Sequence, residues 1–518
     1  MNERSYASGP AVRARIDLAD LGTRQFVLLF AAFFLVAAIP VLAVETLPLF
    51  DYPNHLARMH ILADYDSAPL LRQFYALDWR PIPNLAMDLV VPPLSRLMPL
   101  AWAGKCFVLA IFLLIAGGAA ALHCALFGRW SAWSLLAFLL LYNRILLWGF
   151  VNFLFGVGLA LVATAAWVEL RERSAWLRLP IATVLAAALY LAHLFAFGAY
   201  ALVILGYEIA RLRQQGRLRS LAGIGTLCAS GLQFVPVLAV IVLAAGPGGA
   251  GDIGWSRPVR KLDILFNIVD NYHRWFDVAT FALLVGLAVA GAARRALRVH
   301  RLMALPLILL CLAQLAMPNR LFGGTGVDHR MPVVLALLLV AASGIALRDR
   351  RRKAMLATLL AVLFVTRIGI VAATWIGDDR LYAPVVAALA ALPPGSRLAL
   401  ASPSGSVHVS GNGPPMVHLP ALAVIATDAF VPTLFAFPGQ QPLALREPYA
   451  ELARAASPED FWALVAGGAA DARARAAAAL PGYDFVIATA ETPAKAGDDA
   501  GLALRGRFAN AALFAVRR

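Results

Sequence analysis

Eleven apolar runs dominate this 518-residue sequence, near 26–44, 102–126, 131–148, 150–168, 179–193, 195–210, 221–245, 278–293, 302–317, 332–347 and 354–376. A helix needs about 20 mostly apolar residues to cross a bilayer, so each run reads as a span. The chain is 61% hydrophobic and 14% charged, with a mean hydropathy of +0.73. That excludes a soluble domain of this length and gives an α-helical polytopic membrane protein. The first run is longer than the apolar core of a signal peptide and reads as an uncleaved span.

Basic clusters lie between alternate runs: Arg13, Arg15 and Arg24; Arg129; Arg171, Arg173 and Arg178; Arg211, Arg213, Arg217 and Arg219; Arg294, Arg295, Arg298 and Arg301; Arg348, Arg350, Arg351, Arg352 and Lys353. With eleven spans, all of them fall on one side, which the positive-inside rule makes cytoplasmic. This requires residues 179–210 to be two helices, parted at Ala192-His193-Leu194. The N-terminus is then inside, and a long first loop at 45–100 and a tail at 378–518 lie outside. The net charge of +15 is no sign of nucleic acid. Residues 1–377 hold 34 Lys/Arg against 18 Asp/Glu, and the tail holds 11 against 12. The surplus therefore reports topology. High Ala and Arg contents suggest a GC-rich bacterial source, hence a bacterial inner membrane. The four cysteines lie in or beside apolar runs and form no disulfide or zinc pattern.

The best candidate for chemistry is Phe50-Asp51-Tyr52-Pro53-Asn54-His55-Leu56-Ala57-Arg58-Met59-His60, just after the first run. Pro53 suits the opening turn of a helix. In a helix, Asp51, His55 and Arg58 share one face with Asn54 beside them, and Leu56, Met59 and Ala63 fall on the other. The pattern predicts a helix on the membrane surface, its polar side turned to an aqueous cleft. Asp51 is the candidate base, against the alternative that it only caps the helix. His55 orients it or binds substrate, and Asp88, later in the loop, is the fallback acid. The rest of the loop predicts a second amphipathic helix after a Pro-broken link around Trp79-Arg80-Pro81-Ile82-Pro83-Asn84.

Three further outer segments carry polar residues. Arg144 and Trp148 sit at a turn between runs. The loop 246–277 is Gly-rich and then aromatic. Asn319 to Arg330 holds Arg320, Asp328, His329 and Arg330 beside glycines. Arg58, Arg320 and Arg330, with His329, are the candidate phosphate ligands, because guanidinium makes paired hydrogen bonds to phosphate. Interfacial anchoring is the competing reading for the arginines at span ends. Arg367 lies inside the last run, so it is functional or paired. His123 and His193 read as packing residues. The tail alternates helical signals (381–392, 448–480) with strand-like runs (397–401, 483–488, 512–516), which predicts a small C-terminal α/β extracytoplasmic domain.

One span, a long outer loop with an acid just past the membrane, many more spans and an outer C-terminal domain: this layout resembles the GT-C superfamily of membrane glycosyltransferases. The resemblance covers the whole chain as architecture and rests on Asp51 as motif. It implies a sugar moved from a polyprenyl-phosphate donor to a lipid, glycan or protein acceptor outside the cytoplasm, with Asp51 as general base or acceptor-positioning acid. Asp51-Tyr52-Pro53-Asn54-His55 departs from the acidic pairs better known there, and the next outer loop, 143–150, lacks the usual second acid. The sequence predicts no cofactor and no required protein-bound metal; the lipid-linked sugar is a substrate. The alternatives are a transporter or flippase of a lipid-linked precursor, which would show paired repeats or broken helices, and a non-catalytic envelope-assembly protein.

Overall fold

Each of the eleven apolar runs contains a helix in the computed structural model, which describes residues 20–244, 253–321, 324–347, 349–403, 416–489 and 501–518; the run at 332–347 ends in the strand Ser343–Ile345. Arg13, Arg15, Phe322, Gly323, Arg348, residues 246–252 and most of the Gly/Pro clusters at 403–405 and 411–415 lie outside the described residues. Among the described residues, eight helices are long and apolar enough to cross a membrane. The other three, Ala132–Leu147, Arg301–Ala316 and Met331–Ala342, are shorter. The first of these gains reach because residues Ala132–Leu140 form a 3-10 helix, which rises faster per residue than an α-helix.

The break near 193 is present. One helix ends at Ala192 and the next starts at Leu194, with His193 extended between them. The His193 ring caps the new helix, its Nδ1 accepting from the Phe195 N–H at 3.2 Å. Elsewhere in the bundle small residues set the spacing. A Cβ on Gly158 would lie 2.6 Å from the Leu114 Cβ, and one on Gly118 would lie 2.9 Å from the Gly158 carbonyl. Helices Leu100–Phe127 and Val151–Glu169 pack closely because both positions are glycine.

The last span continues past residue 377. Helix Arg350–Ala390 has 41 residues, so at 1.5 Å per residue it is about 60 Å long, twice the hydrocarbon thickness. The helical signal at 381–392 is its far half, and no chain break separates bundle from tail. Its Asp379 carboxylate accepts from the Glu45 and Thr46 N–H groups at 3.0 and 2.9 Å, which fixes the chain as it leaves the first span.

The tail forms a four-stranded sheet in the order Leu398–Ala401, Phe485–Thr489, Ala511–Val516, Leu502–Phe508. The first pair is parallel and the rest antiparallel. Leu398 to Ala401 are all buried, as a strand covered on both faces requires. The segment Leu502–Phe508 was not anticipated from sequence; its polar Arg505 and Arg507 break the apolar pattern.

The first loop differs from expectation in one decisive respect. Helix Tyr52–Asp64 does not lie on a membrane surface facing a cleft. It is buried from Tyr52 through Met59 and again at Ile61, between two cores. Tyr52, Leu56 and Met59 pack into the spanning bundle. Phe50, Ala57 and Ile61 pack into the core of the tail domain. The helix therefore has two apolar stripes, and the small Ala57 hides the second. Tyr75–Leu77 from the same loop pairs with Leu443–Leu445, and the Tyr75 hydroxyl accepts from the Val431 N–H at 3.3 Å.

Candidate active site

The site grows from the way Asp51 is held. The Phe50 and Asp51 N–H groups donate to the Leu147 and Trp148 carbonyls at 2.9 and 3.1 Å. This close pairing depends on Gly149. Its φ is +85°, and a Cβ there would lie 2.7 Å from the Asp51 nitrogen. Asp51 occupies the N-cap position of its helix, yet its side chain caps nothing. The capping alternative fails on geometry, and the carboxylate is not spent on the helix. Burial pushes its pKa up to about 7, with the Arg330 and Arg58 cations pulling the other way. The side chain keeps 16% of its surface exposed, so it can be reached.

Arg58 and Asp88 are brought together, but as partners. Arg58 Nε and Nη2 donate to the two Asp88 oxygens at 2.6 and 3.0 Å, and neither side chain is exposed. Nη2 also approaches His55 Nδ1 at 3.3 Å. The fallback acid and the nearest expected phosphate ligand thus neutralise each other and brace the helix. His55 accepts at Nδ1 and meets the Gly149 backbone. Burial, then the Arg58 charge, hold it well below the ordinary imidazole range. Asn54 is engaged on both sides: its Oδ1 accepts from the Phe435 N–H at 3.3 Å and its Nδ2 contacts His418 Nδ1.

Arg330, just before helix Met331–Ala342, faces Asp51 electrostatically. Its guanidinium lies over the rings of Phe150, Phe195 and Phe153, at 4.6, 5.4 and 5.9 Å. It makes no carboxylate ion pair among the described residues, and its Nε is buried without a partner. Burial lowers its pKa to about 10. Its Nη1 is 3.4 Å from His193 Nε2. His193 is hydrogen-bonded within the helix break, as the sequence suggests, and borders the Arg330 guanidinium.

The other expected ligands are engaged elsewhere. Arg144 pairs with Asp270 at 2.7 Å. Asp328 is held by Lys261 at 2.8 Å and Asn319 at 2.9 Å; burial raises its pKa, but these hydrogen bonds outweigh it and the net shift is down. His329 Nδ1 contacts Asn267 at 2.9 Å, and its ring lies 5.0 Å from that of Trp148. Arg320 forms a backbone bridge with Gly254. Arg367 is paired inside the bundle, with Asp277 at 2.8 Å and the Val269 carbonyl at 2.9 Å. Among the described residues no group of three or more His, Cys, Asp or Glu is arranged to hold a metal.

His418 was missed. It comes from the tail domain, its ring edge-on to Phe50 and Phe435 at 4.8 and 5.2 Å, with Nε2 3.5 Å from Asp51 Oδ1. A lone histidine in Val417-His418-Leu419-Pro420 carries no local motif, and only the docking of tail on loop brings it to Asp51. The assembled site offers a reachable carboxylate poised near neutrality, facing an arginine that makes no carboxylate ion pair among the described residues.

No family model matches the chain, and no curated protein matches it in sequence. Solved structures do match, two of them over nearly the whole length as follows. The crystal structure of ArnT from Cupriavidus metallidurans bound to undecaprenyl phosphate aligns with a TM-score of 0.53 and 12% identity, covering 95% of this chain and 98% of that one. The apo form of the same protein aligns with a TM-score of 0.52 and the same identity and coverage. The two chains share a fold. The expected architecture, a polytopic helical protein with a small C-terminal sheet domain, is the one found, in the fold that ArnT also has.

Proposed function

We propose that this protein is a membrane glycosyltransferase that moves a sugar from a polyprenyl-phosphate donor to a lipid, glycan or protein acceptor. The observation that carries the reading is Asp51: an uncapped carboxylate pushed to about pH 7, facing an arginine that has no carboxylate partner among the described residues. The fold shared with a protein crystallised with undecaprenyl phosphate supports a carrier of that class. The basic clusters at one end of the spans support a cytoplasmic N-terminus, with Asp51 and the tail domain on the far side of a bacterial inner membrane.

In this reading Asp51 takes the proton from the acceptor hydroxyl as its oxygen attacks the anomeric carbon. The bond from that carbon to the carrier oxygen breaks, and its electron pair leaves with the phosphate. Arg330 meets the growing negative charge. The sugar inverts, and Asp51 returns the proton to water. Arg58, Asp88 and His55 hold the helix that places Asp51. Arg320, Asp328 and His329 belong to the neighbouring loops, where their own partners hold them.

The test uses purified protein in nanodiscs, given lipid-linked sugars extracted from the native membrane, with labelled sugar followed into product. Asp51→Asn is expected to abolish transfer without loss of folding. Undiminished transfer by that variant would overturn the assignment of the base.

A further inference from the structure

The tail domain reaches the active centre through one side chain, and the hydrogen bonds around that side chain fix its protonation. Asn54 is the starting point. A backbone N–H can only donate, so the Phe435 N–H at 3.3 Å identifies the Asn54 oxygen. The amide nitrogen must then face His418, where it donates to Nδ1. With Nδ1 accepting, a neutral imidazole carries its hydrogen on Nε2. That nitrogen is the one 3.5 Å from Asp51 Oδ1.

We infer that His418 is a positioning residue, a neutral Nε2–H donor locked by Asn54 that orients the Asp51 carboxylate and leaves its second oxygen for the acceptor hydroxyl. As a role in catalysis this rests on the transfer reading above; as a contact it stands on geometry. Every neighbour opposes a second proton on His418. Nδ1 cannot take one without losing Asn54. Phe50 and Phe435 enclose the ring. Burial drives its pKa down to about 4. The charged and titratable groups around the pair are Arg58 and His55 on the same helix as Asn54, Arg330 at the start of Met331–Ala342 with His193 behind it, and Asp88, engaged by Arg58. Arg58 and Arg330 would repel an imidazolium. The donor therefore lowers the energy of the Asp51 anion without becoming a competing acid.

A hydrophobic carbodiimide, which modifies protonated carboxyls, tests this on the full-length protein in nanodiscs. Labelling of the Asp51 peptide is followed by mass spectrometry against pH. In the wild type the midpoint is expected near neutrality. His418→Leu removes the donor and keeps bulk between the two phenylalanines, so the midpoint should rise by about one pH unit. His418→Gln keeps an N–H donor, so its midpoint should stay with the wild type. A folded His418→Leu protein with an unmoved midpoint would overturn the inference. If that variant does not fold, Asn54→Leu decides: with Nδ1 released, the ring proton can move to Nδ1, Nε2 then turns a lone pair to Asp51 and the midpoint should rise, whereas no change overturns the lock. The acid limb of the pH–rate profile should follow the same shifts. Labelling does not require turnover. A wild type that transfers no sugar therefore counts against the transfer reading alone, while the labelling still decides the role of His418.

Discussion

Asp51 sits where a carboxylate is least comfortable as an anion, and its behaviour against pH follows from that. A base must be ionised to act, so transfer should fall as the pH drops through about 7, with the acid limb of the rate profile as the readout. Stability should run the opposite way. The folded-state pKa is raised above the unfolded one, so the native state binds the extra proton. The contribution is fully present below about pH 4 and is lost as the pH rises through about 7. Asp51→Asn removes the ionised form. It is expected to cost about 10²- to 10⁴-fold in rate while raising the melting temperature measured at pH 8, a trade of stability for function. A variant less stable than the wild type at that pH would contradict this. At this scale the sequence showed Asp51 and Arg330, each marked by charge beside an apolar run. It did not show that Arg58 is consumed by Asp88, because the two residues are brought together by the fold of the loop.

The elements around the site act mainly as braces. Arg58 and Asp88 join two helices of the first loop through a fully buried ion pair. Removing one partner leaves a lone buried charge, so Arg58→Ala should destabilise by about 3–5 kcal/mol, read as a drop in melting temperature. Arg58→Met with Asp88→Leu should recover much of that, since an apolar pair of similar size avoids the unpaired charge. Gly149→Ala should act on activity more than on folding. The new Cβ meets the Asp51 backbone at 2.7 Å in a left-handed conformation, and the displaced carboxylate loses its geometry. Transfer and melting temperature measured on one preparation separate the two effects. The spans themselves were readable, since apolar runs and basic flanks report directly on the membrane. The break at His193 was readable for the same reason. The second apolar stripe of helix Tyr52–Asp64 was not, because Ala57 and Ile61 gain meaning only from a partner far along the chain.

Taken whole, the molecule is a helical bundle and a sheet domain that share the first loop. Phe50, Ala57, Ile61, Leu71, Phe74 and Tyr75 belong to the same core as the strands of the tail. A fragment of residues 393–518 expressed alone lacks them. It should remain partly unfolded, with poor amide protection in hydrogen exchange; a natively folded fragment would contradict the shared core. This arrangement explains how a distant histidine meets Asp51, and why the sequence read as two domains when the structure joins them through a 41-residue helix and a common core. The account rests on a carrier phosphate seated beside Asp51. Native mass spectrometry of protein purified gently from its own membrane tests that most directly. A bound polyprenyl phosphate, or its sugar conjugate, is expected on the wild type and should be lost from Arg330→Ala. Protein that takes up no such lipid, even when it is added in excess, would contradict the account.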